Sequence, residues 1–210
     1  MKLNRFERLL MASPLRAAMQ RRYDAPILRR LGGPLPGGRV LEVGCGRGIG
    51  VEVLRARFGA EGITAFDLDL DVVREARDHA AARGIRVRLA GADVTAIPFG
   101  DGAFDAVFDF GALHHVVDWR RGVREIRRVL RLGGAFYFME VTRRSLDRWI
   151  VRLLTDHPRE DRFGPADLAA ELRRHGIECG DAMQERWPGD LVYGVGRAVD
   201  RNGHSDGSVL

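Results

Sequence analysis

Short apolar runs alternate with helical stretches between residues 39 and 141, and this alternation limits the possible folds more than any other feature. The apolar runs are 39–43, 63–66, 87–90, 106–110 and 135–141, and the helical stretches lie near 49–58, 70–83 and 119–131. Such alternation is typical of a parallel sheet covered by helices on both faces. We therefore expect a doubly wound α/β domain.

The two ends of the chain add different elements. Helical spacing, with Ser13 as a cap and Pro14 at a first helical position, predicts a helical cover over residues 1–33. The main domain is expected to span residues 34–200, and residues 201–210 are expected to form a mobile tail. Another helix begins at Pro165. Two strand-like runs flank Pro188-Gly189-Asp190, so the sheet is expected to finish with an antiparallel hairpin.

Hydropathy and cysteine content exclude several classes of protein. No apolar run approaches the roughly 18 residues that a membrane helix needs, and none resembles the core of a signal peptide. We therefore expect a cytoplasmic protein. Cys45 and Cys179 are the two cysteines, too few for a disulfide framework or a metal quartet, so no metal site is expected.

The net charge of +5 raises the question of an anionic partner. Lys2 is the only lysine among the 34 basic residues, a bias that suggests a GC-rich coding sequence. The arginines are scattered along the chain and interleaved with 29 acidic residues. A nucleic-acid partner is therefore not expected.

The segment "VLEVGCGRGIG", residues 40–50, places glycines directly after the first strand. A dinucleotide loop needs glycines at relative positions 1, 3 and 6; Gly44 and Gly46 fit, but the sixth position is Ile49. Asp67 ends the second strand, where an acid can accept both ribose hydroxyls, and Asp93 follows the third strand. These residues predict a ligand that contains adenosine and does not require a pyrophosphate site.

Five motifs in order carry a family resemblance: "VLEVGCGRG", "AFDLD", "GADVTAIPFGDGAFDAVF", "ALHHVVDW" and "EIRRVLRLGGAFYF". Over residues 39–141 the sequence resembles the class I S-adenosylmethionine-dependent methyltransferases, in the branch of small-molecule enzymes like those of quinone biosynthesis. The resemblance implies a mostly parallel seven-stranded sheet of order 3-2-1-4-5-7-6. It also implies S-adenosyl-L-methionine as the cofactor. Leu132 stands where the family usually has proline.

The same resemblance implies roles for individual residues. Glu42 and the loop would lie against the methionine part of the cofactor, Asp67 against the ribose hydroxyls, and Asp93 and Val94 against the adenine edge. Leu68 is also expected to contact the cofactor. Phe110 would close over the cofactor after strand four. The loop residues are Gly44, Cys45, Gly46 and Gly48.

Methyl transfer is an in-line displacement, so the enzyme needs mainly to align the reacting groups and exclude water. A base is required only when the acceptor must lose a proton. His114 and His115 follow strand four and are the candidates, although they could instead pack or cap the loop. The segment "DFGALHHV" lacks the "NPPY" pattern of many base-amino methyltransferases, which favours a small-molecule acceptor.

An apolar stripe in residues 142–157 predicts a lid over the acceptor pocket. Trp149 and Leu153 belong to this stripe, and Met19 and Tyr23 lie on the N-terminal helix that would pack against it. The alternative is an ordinary amphipathic helix.

Three other functions stay open at this stage. The chain could bind the cofactor without catalysis, or it could methylate RNA. A nicotinamide dehydrogenase is the remaining alternative, but it needs a glycine where Ile49 stands.

Overall fold

A computed structural model describes residues 13–148, 161–187 and 189–200 of the chain. One sheet forms its centre, with the strand order β3-β2-β1-β4-β5-β8-β6 and with β7 also paired to β8. The strands are β1 (Arg39–Val43), β2 (Gly62–Asp67), β3 (Arg88–Gly91), β4 (Phe104–Asp109), β5 (Leu130–Val141), β6 (Ile177–Glu178), β7 (Met183–Arg186) and β8 (Leu191–Ala198).

The first five strands are parallel, and β8 runs antiparallel to its neighbours. The predicted fold class and strand order are confirmed, with one addition at the edge of the sheet. Two short strands share that edge, because Ile177 pairs with Ala198 while Met183 pairs with Gly194. The predicted hairpin is formed by β7 and β8.

The described α-helices are α1 (Pro14–Met19), α2 (Ala25–Gly32), α3 (Ile49–Val53), α4 (Leu70–Ala81), α5 (Trp119–Val129), α6 (Arg143–Leu146) and α7 (Pro165–Arg174), and π-helical segments (Gln20–Asp24 and Leu54–Phe58) follow α1 and α3. The predicted cap of α1 is present, since the Ser13 hydroxyl accepts from the Arg16 N–H at 3.2 Å. Asp118 caps α5 in the same manner, accepting from the Arg121 N–H at 3.1 Å. Among the described helices, none has the length and hydropathy needed to cross a membrane.

The segment Leu132-Gly133-Gly134, which follows the helical stretch expected near 119–131, lies inside a strand. Helix α5 ends at Val129, and β5 already begins at Leu130, which pairs with Phe104. The strand then shifts register before Ala135, and Gly133 has a φ of +71°. Glycine adopts this left-handed conformation without steric cost, so the segment forms an irregularity inside the strand instead of a separate turn.

Two apolar clusters cover the two faces of the sheet. The N-terminal helices belong to the first cluster, because Ala25 and Leu28 are fully buried in it. The Tyr137 hydroxyl donates to the Gly32 carbonyl at 2.7 Å and ties α2 to β5. The helical segment is therefore anchored on the sheet, which fixes where α1 lies relative to the strand ends.

A cluster of ion pairs around Glu52 gives the N-terminal segment a second attachment. Arg21 donates two hydrogen bonds of 2.8 Å to this carboxylate, and His79 and Arg83 approach it at 2.9 and 3.0 Å. The hydrogen bond from Arg21 is the main reason that the pKa of Glu52 falls to about 2. The Glu52 cluster thus joins the N-terminal segment to α3 and α4.

At about pH 7 we expect Glu52→Gln to lower the free energy of unfolding by about 1–2 kcal/mol, allowing for solvent screening of a partly exposed carboxylate. Because the folded-state pKa is depressed, this stabilisation is present above the ordinary value of 4.5 and is lost as pH falls toward about 2. Urea unfolding at neutral and at acidic pH measures the difference. Glu61→Gln is the control, since Glu61 is 69% exposed and pairs with Arg55 at 3.7 Å. Equal losses in the two variants would contradict the expectation.

Candidate functional site

The glycine loop after β1 lies at the edge where the parallel strands end. Gly44, Gly46 and Gly48 all have positive φ, at +65°, +50° and +85°. A Cβ on Gly44 would overlap the Cβ of Ala112, whereas a Cβ on Gly46 would meet no atom within 4 Å. Gly44 thus allows close packing against the segment after β4, and Gly46 leaves open space where a ligand can approach the backbone.

Within the same loop, Cys45 is 4% exposed and its N–H donates to the Phe66 carbonyl at 2.9 Å. Burial raises the pKa of its thiol well above the ordinary value, so Cys45 is a packed neutral side chain. Its contribution to the loop is the backbone hydrogen bond that holds β1 and β2 together at the ligand edge.

Glu42 lies beneath the loop and is 1% exposed. Burial, then the charges of Asp67 and Asp109, raises the pKa of Glu42 well above its ordinary value. Within the described part of the chain, no donor reaches its Oε2 atom. A Cβ on Gly50 would overlap Oε1, so glycine is required for the carboxyl to fit there. A buried carboxyl with an unsatisfied oxygen suits a cationic ligand group.

Asp67 ends β2 and faces the loop. Its Oδ2 accepts from the Gly46 N–H and its Oδ1 from the Asp69 N–H, both at 3.0 Å. A carboxylate oxygen has two lone pairs, so each oxygen can also accept from a ligand hydroxyl. Leu68, the next residue, is an apolar side chain that is 46% exposed. Asp67 and Leu68 therefore suit a ligand that carries a diol beside an apolar ring.

The structure also locates the three other residues expected at the cofactor. Asp93 is exposed, and its Oδ1 accepts from both the N–H and the hydroxyl of Thr95 at 2.8 and 2.9 Å. Val94 is 8% exposed. Phe110 is 7% exposed, and its ring stacks on Phe108 with centroids 5.9 Å apart. Its side chain therefore belongs to the apolar cluster under the N-terminal helices, with its backbone at the strand end.

His114 and His115 lie in a short helical turn after β4, and their ring centroids are 4.1 Å apart. Nδ1 of His114 lies 2.5 Å from Oε2 of Glu140. Glu140 is fully buried near the end of β5, and its Oε1 accepts from the Leu113 N–H at 2.7 Å. This arrangement fixes the orientation of the His114 ring.

Sequence reasoning did not include Glu140 or Asp109, although both lie near the ligand ends of their strands. Asp109 is fully buried at the end of β4 and accepts from the N–H groups of Gly111 and Ala112 at 3.0 and 2.7 Å. Their positions in the sequence could have indicated both residues. Ligands bind at the carboxyl ends of parallel strands, and these two acids lie near such ends as Asp67 does.

The predicted lid residues are only partly described. Met19 is half-buried, and the Tyr23 ring stacks on Trp187 with centroids 5.2 Å apart. Trp187 belongs to the turn between β7 and β8, at the same edge of the sheet as the glycine loop. Trp149 and Leu153 lie outside the described residues.

A buried network connects the N-terminal helices to this edge. Asp24 is fully buried, accepts from the Tyr193 hydroxyl at 2.8 Å and pairs with Arg16 at 2.8 Å. Arg16 also donates to the Phe110 carbonyl at 3.2 Å. Sequence patterns do not reveal these contacts, because they join residues far apart in the chain.

Comparison with known proteins agrees with this geometry. Residues 41–138 match the family described as "Methyltransferase domain". A "Ubiquinone biosynthesis O-methyltransferase" of Xanthomonas axonopodis pv. citri is 34% identical over 165 residues, which are 72% of this chain and 68% of that protein. A relative of the same name from Xanthomonas euvesicatoria pv. vesicatoria is also 34% identical, over 73% of this chain and 69% of its own.

The fold has solved counterparts. A "SAM dependent methyltransferase" from Aquifex aeolicus superposes with a TM-score of 0.74 at 18% identity, over 94% of this chain and all of that one. A methyltransferase from Mesorhizobium loti superposes with a TM-score of 0.67 at 19% identity, over 82% of this chain and 96% of that one. From the curated relatives together with the matching domain, the chain belongs to the class I S-adenosylmethionine-dependent methyltransferases, with S-adenosylmethionine as its cofactor.

Proposed function

We propose that this methyltransferase modifies a small-molecule acceptor and uses His114 as the base that takes the acceptor's proton. The observation that carries the proposal is the 2.5 Å contact between His114 Nδ1 and Glu140 Oε2 at the ligand edge. The curated relatives are named as O-methyltransferases of ubiquinone biosynthesis, which supports a small organic acceptor. We also keep the expectation that the protein is cytoplasmic.

The cofactor would be held by residues from the first four strands. Glu42 would face the positively charged methionine part, with the backbone of Gly44, Cys45, Gly46 and Gly48 beside it. Asp67 would accept from the two ribose hydroxyls, and Leu68 would cover an apolar face. Asp93 and Val94 would line the adenine edge, and Phe110 would border the site from the end of β4.

Bound S-adenosylmethionine supplies a methyl group on a positively charged sulfur. Glu140 contacts Nδ1 of His114, and we assign Nε2 as the nitrogen that acts on the acceptor. Nε2 of His114 would take the proton that the acceptor atom loses when it receives the methyl group, while the sulfur–methyl bond of the cofactor breaks and S-adenosylhomocysteine is left. The resulting imidazolium is compensated by the carboxylate of Glu140. The proton returns to solvent after the product has left.

A pH profile tests this assignment. With an acceptor found in a panel of phenols, quinols and amines, kcat/KM should fall as pH drops on the acidic side of neutral, because the base becomes protonated. A rate that does not depend on pH across this range would indicate catalysis by alignment alone and would contradict the role of His114.

We further propose that the N-terminal segment, residues 1–33, covers the acceptor pocket, with Met19 and Tyr23 lining it. The stacked Tyr23–Trp187 pair at the ligand edge supports this arrangement, as does the buried Asp24 network behind it. Trp149 and Leu153 of the expected lid would complete the cover. Removing the segment would expose the core around Ala25 and Leu28, so single substitutions are the better test.

Tyr23→Ala is expected to lower kcat/KM for the acceptor about tenfold or more, because the acceptor loses a wall that aligns it. Cofactor affinity, measured by calorimetry, should stay within about threefold. Leu15→Ala is the matched control, since Leu15 lies on the same segment and is 73% exposed. Normal turnover in Tyr23→Ala would show that this segment does not form the pocket.

A further inference from the structure

The ends of β4 and β5 place two fully buried carboxyl groups beneath the same turn. Asp109 and Glu140 are each 0% exposed, and Asp109 accepts from the N–H groups of Gly111 and Ala112 while Glu140 accepts from that of Leu113, the next residue. Two carboxylates placed in this way cannot both be ionised inside a protein without a large electrostatic cost. One proton between them turns this repulsion into a hydrogen bond.

The surrounding donors decide which group holds the proton. Oδ1 of Asp109 accepts from Gly111 and Ala112, but among the described residues no donor reaches Oδ2. Glu140 has donors on both oxygens, because Leu113 donates to Oε1 and His114 contacts Oε2. A buried carboxylate oxygen without a donor is costly, so Oδ2 of Asp109 is the atom that carries the proton.

We propose that a neutral Asp109 donates a hydrogen bond to an ionised Glu140 and thereby acts as a positioning residue for His114. The shared proton satisfies Oδ2 and leaves Glu140 with one negative charge directed at Nδ1 of His114. Asp109 also fixes the turn at Gly111 and Ala112 that leads into His114. This inference rests on the proposed function only where it concerns catalysis.

The other titratable groups around the pair include Glu42 and the two histidines after β4. Burial is the main reason that the pKa of Glu42 on β1 lies well above its ordinary value, so Glu42 is a neutral neighbour of Asp109. His114, with His115 beside it, approaches from the turn after β4. Burial and the charge of Glu140 raise the pKa of Asp109 well above its ordinary value. Burial also raises the pKa of Glu140, while the backbone N–H groups oppose that change.

The Asp109→Asn variant tests whether Asp109 is neutral or ionised in the unchanged protein. The amide oxygen can accept from Gly111 and Ala112, and the amide N–H can donate to Glu140, so asparagine reproduces the neutral acid. With an acceptor in hand, we expect kcat in Asp109→Asn within about threefold of the unchanged protein. Asp109→Leu should lower kcat at least about tenfold without changing cofactor affinity. A loss in Asp109→Asn as large as that in Asp109→Leu would overturn the proposal.

Spectroscopy of the protein alone tests the protonation state without any acceptor. The infrared difference between the unchanged protein and Asp109→Asn, at about pH 7, should contain the carbonyl band of a protonated carboxyl. Asp105→Asn, on the same strand, is the control and should lack that band, because hydrogen bonds and charges from Arg39 and Arg131 lower the pKa of Asp105.

If Asp109→Asn does not fold, carboxyl-labelled aspartate in the unchanged protein gives the same information by carbon NMR. An Asp109 resonance of the protonated form supports the proposal, and one of the ionised form overturns it. Nitrogen NMR should also find the proton of neutral His114 on Nδ1, and a proton on Nε2 would overturn the proposal. If no acceptor of the panel is methylated, the result counts against the proposed function. The spectroscopic measurements would still decide the protonation state of Asp109.

Discussion

Replacing Asp67 by alanine is expected to weaken the binding of S-adenosylmethionine about 100-fold, or about 3 kcal/mol. The carboxylate at the end of β2 would be the acceptor for two ribose hydroxyls, and hydrogen bonds to a charged group are among the stronger ones. Asp67 also accepts from the Gly46 N–H at 3.0 Å, so its loss loosens the glycine loop as well. Calorimetric titration with S-adenosylhomocysteine measures the change.

Asp71→Ala is the matched control for this experiment. Asp71 lies in the first turn of α4 with its side chain 70% exposed, so its removal changes the net charge equally without touching the loop. We expect its affinity for S-adenosylhomocysteine to stay within about threefold of that of the unchanged protein. Unchanged affinity in a folded Asp67→Ala variant would refute the assignment of the ribose site.

The second large effect is expected at His114. His114→Ala should lower turnover by about 10²–10⁴-fold, the usual contribution of a positioned base. Affinity for S-adenosylhomocysteine should be nearly unchanged, because the described carboxylate partner of His114 is Glu140 of β5, whereas the proposed cofactor residues follow β1 to β4. Turnover and affinity must therefore be measured on the same variant.

His175→Ala controls for the loss of a histidine that is paired with a carboxylate. Its Nε2 lies 3.0 Å from Oε1 of Glu171, at the C-terminal end of α7. This variant should keep normal turnover. If His114→Ala also keeps near-normal turnover with the true acceptor, the histidine is structural and the enzyme works by alignment alone.

Local sequence patterns predict the elements of this fold well. Strand β1 has the predicted limits, and the cap at Ser13 is formed as expected. Each of these features depends on a few neighbouring residues. The segment around Gly133 was less predictable, because it pairs with Phe104 through contacts that a local pattern does not contain.

The candidate site also contains residues that local sequence patterns predict and contacts that they do not. Asp67 can be found from sequence because a strand-end acid after a glycine loop is a local signal. The pairing of Asp109 with Glu140 depends on the packing of β4 against β5, which places Asp109 opposite Phe138. Similarly, helical spacing identifies the N-terminal helices, but only the folded chain brings Asp24 to Tyr193. Contacts between distant segments therefore account for what the sequence does not reveal.

Transfer of a labelled methyl group tests the central claim most directly. The protein would be incubated with methyl-labelled S-adenosylmethionine and, separately, with a panel of phenols, quinols and amines or with total RNA. We predict that S-adenosylhomocysteine forms only when a small acceptor is present and that the label appears in that acceptor. Cofactor binding without acceptor-dependent S-adenosylhomocysteine, or label found only in RNA, would contradict the account.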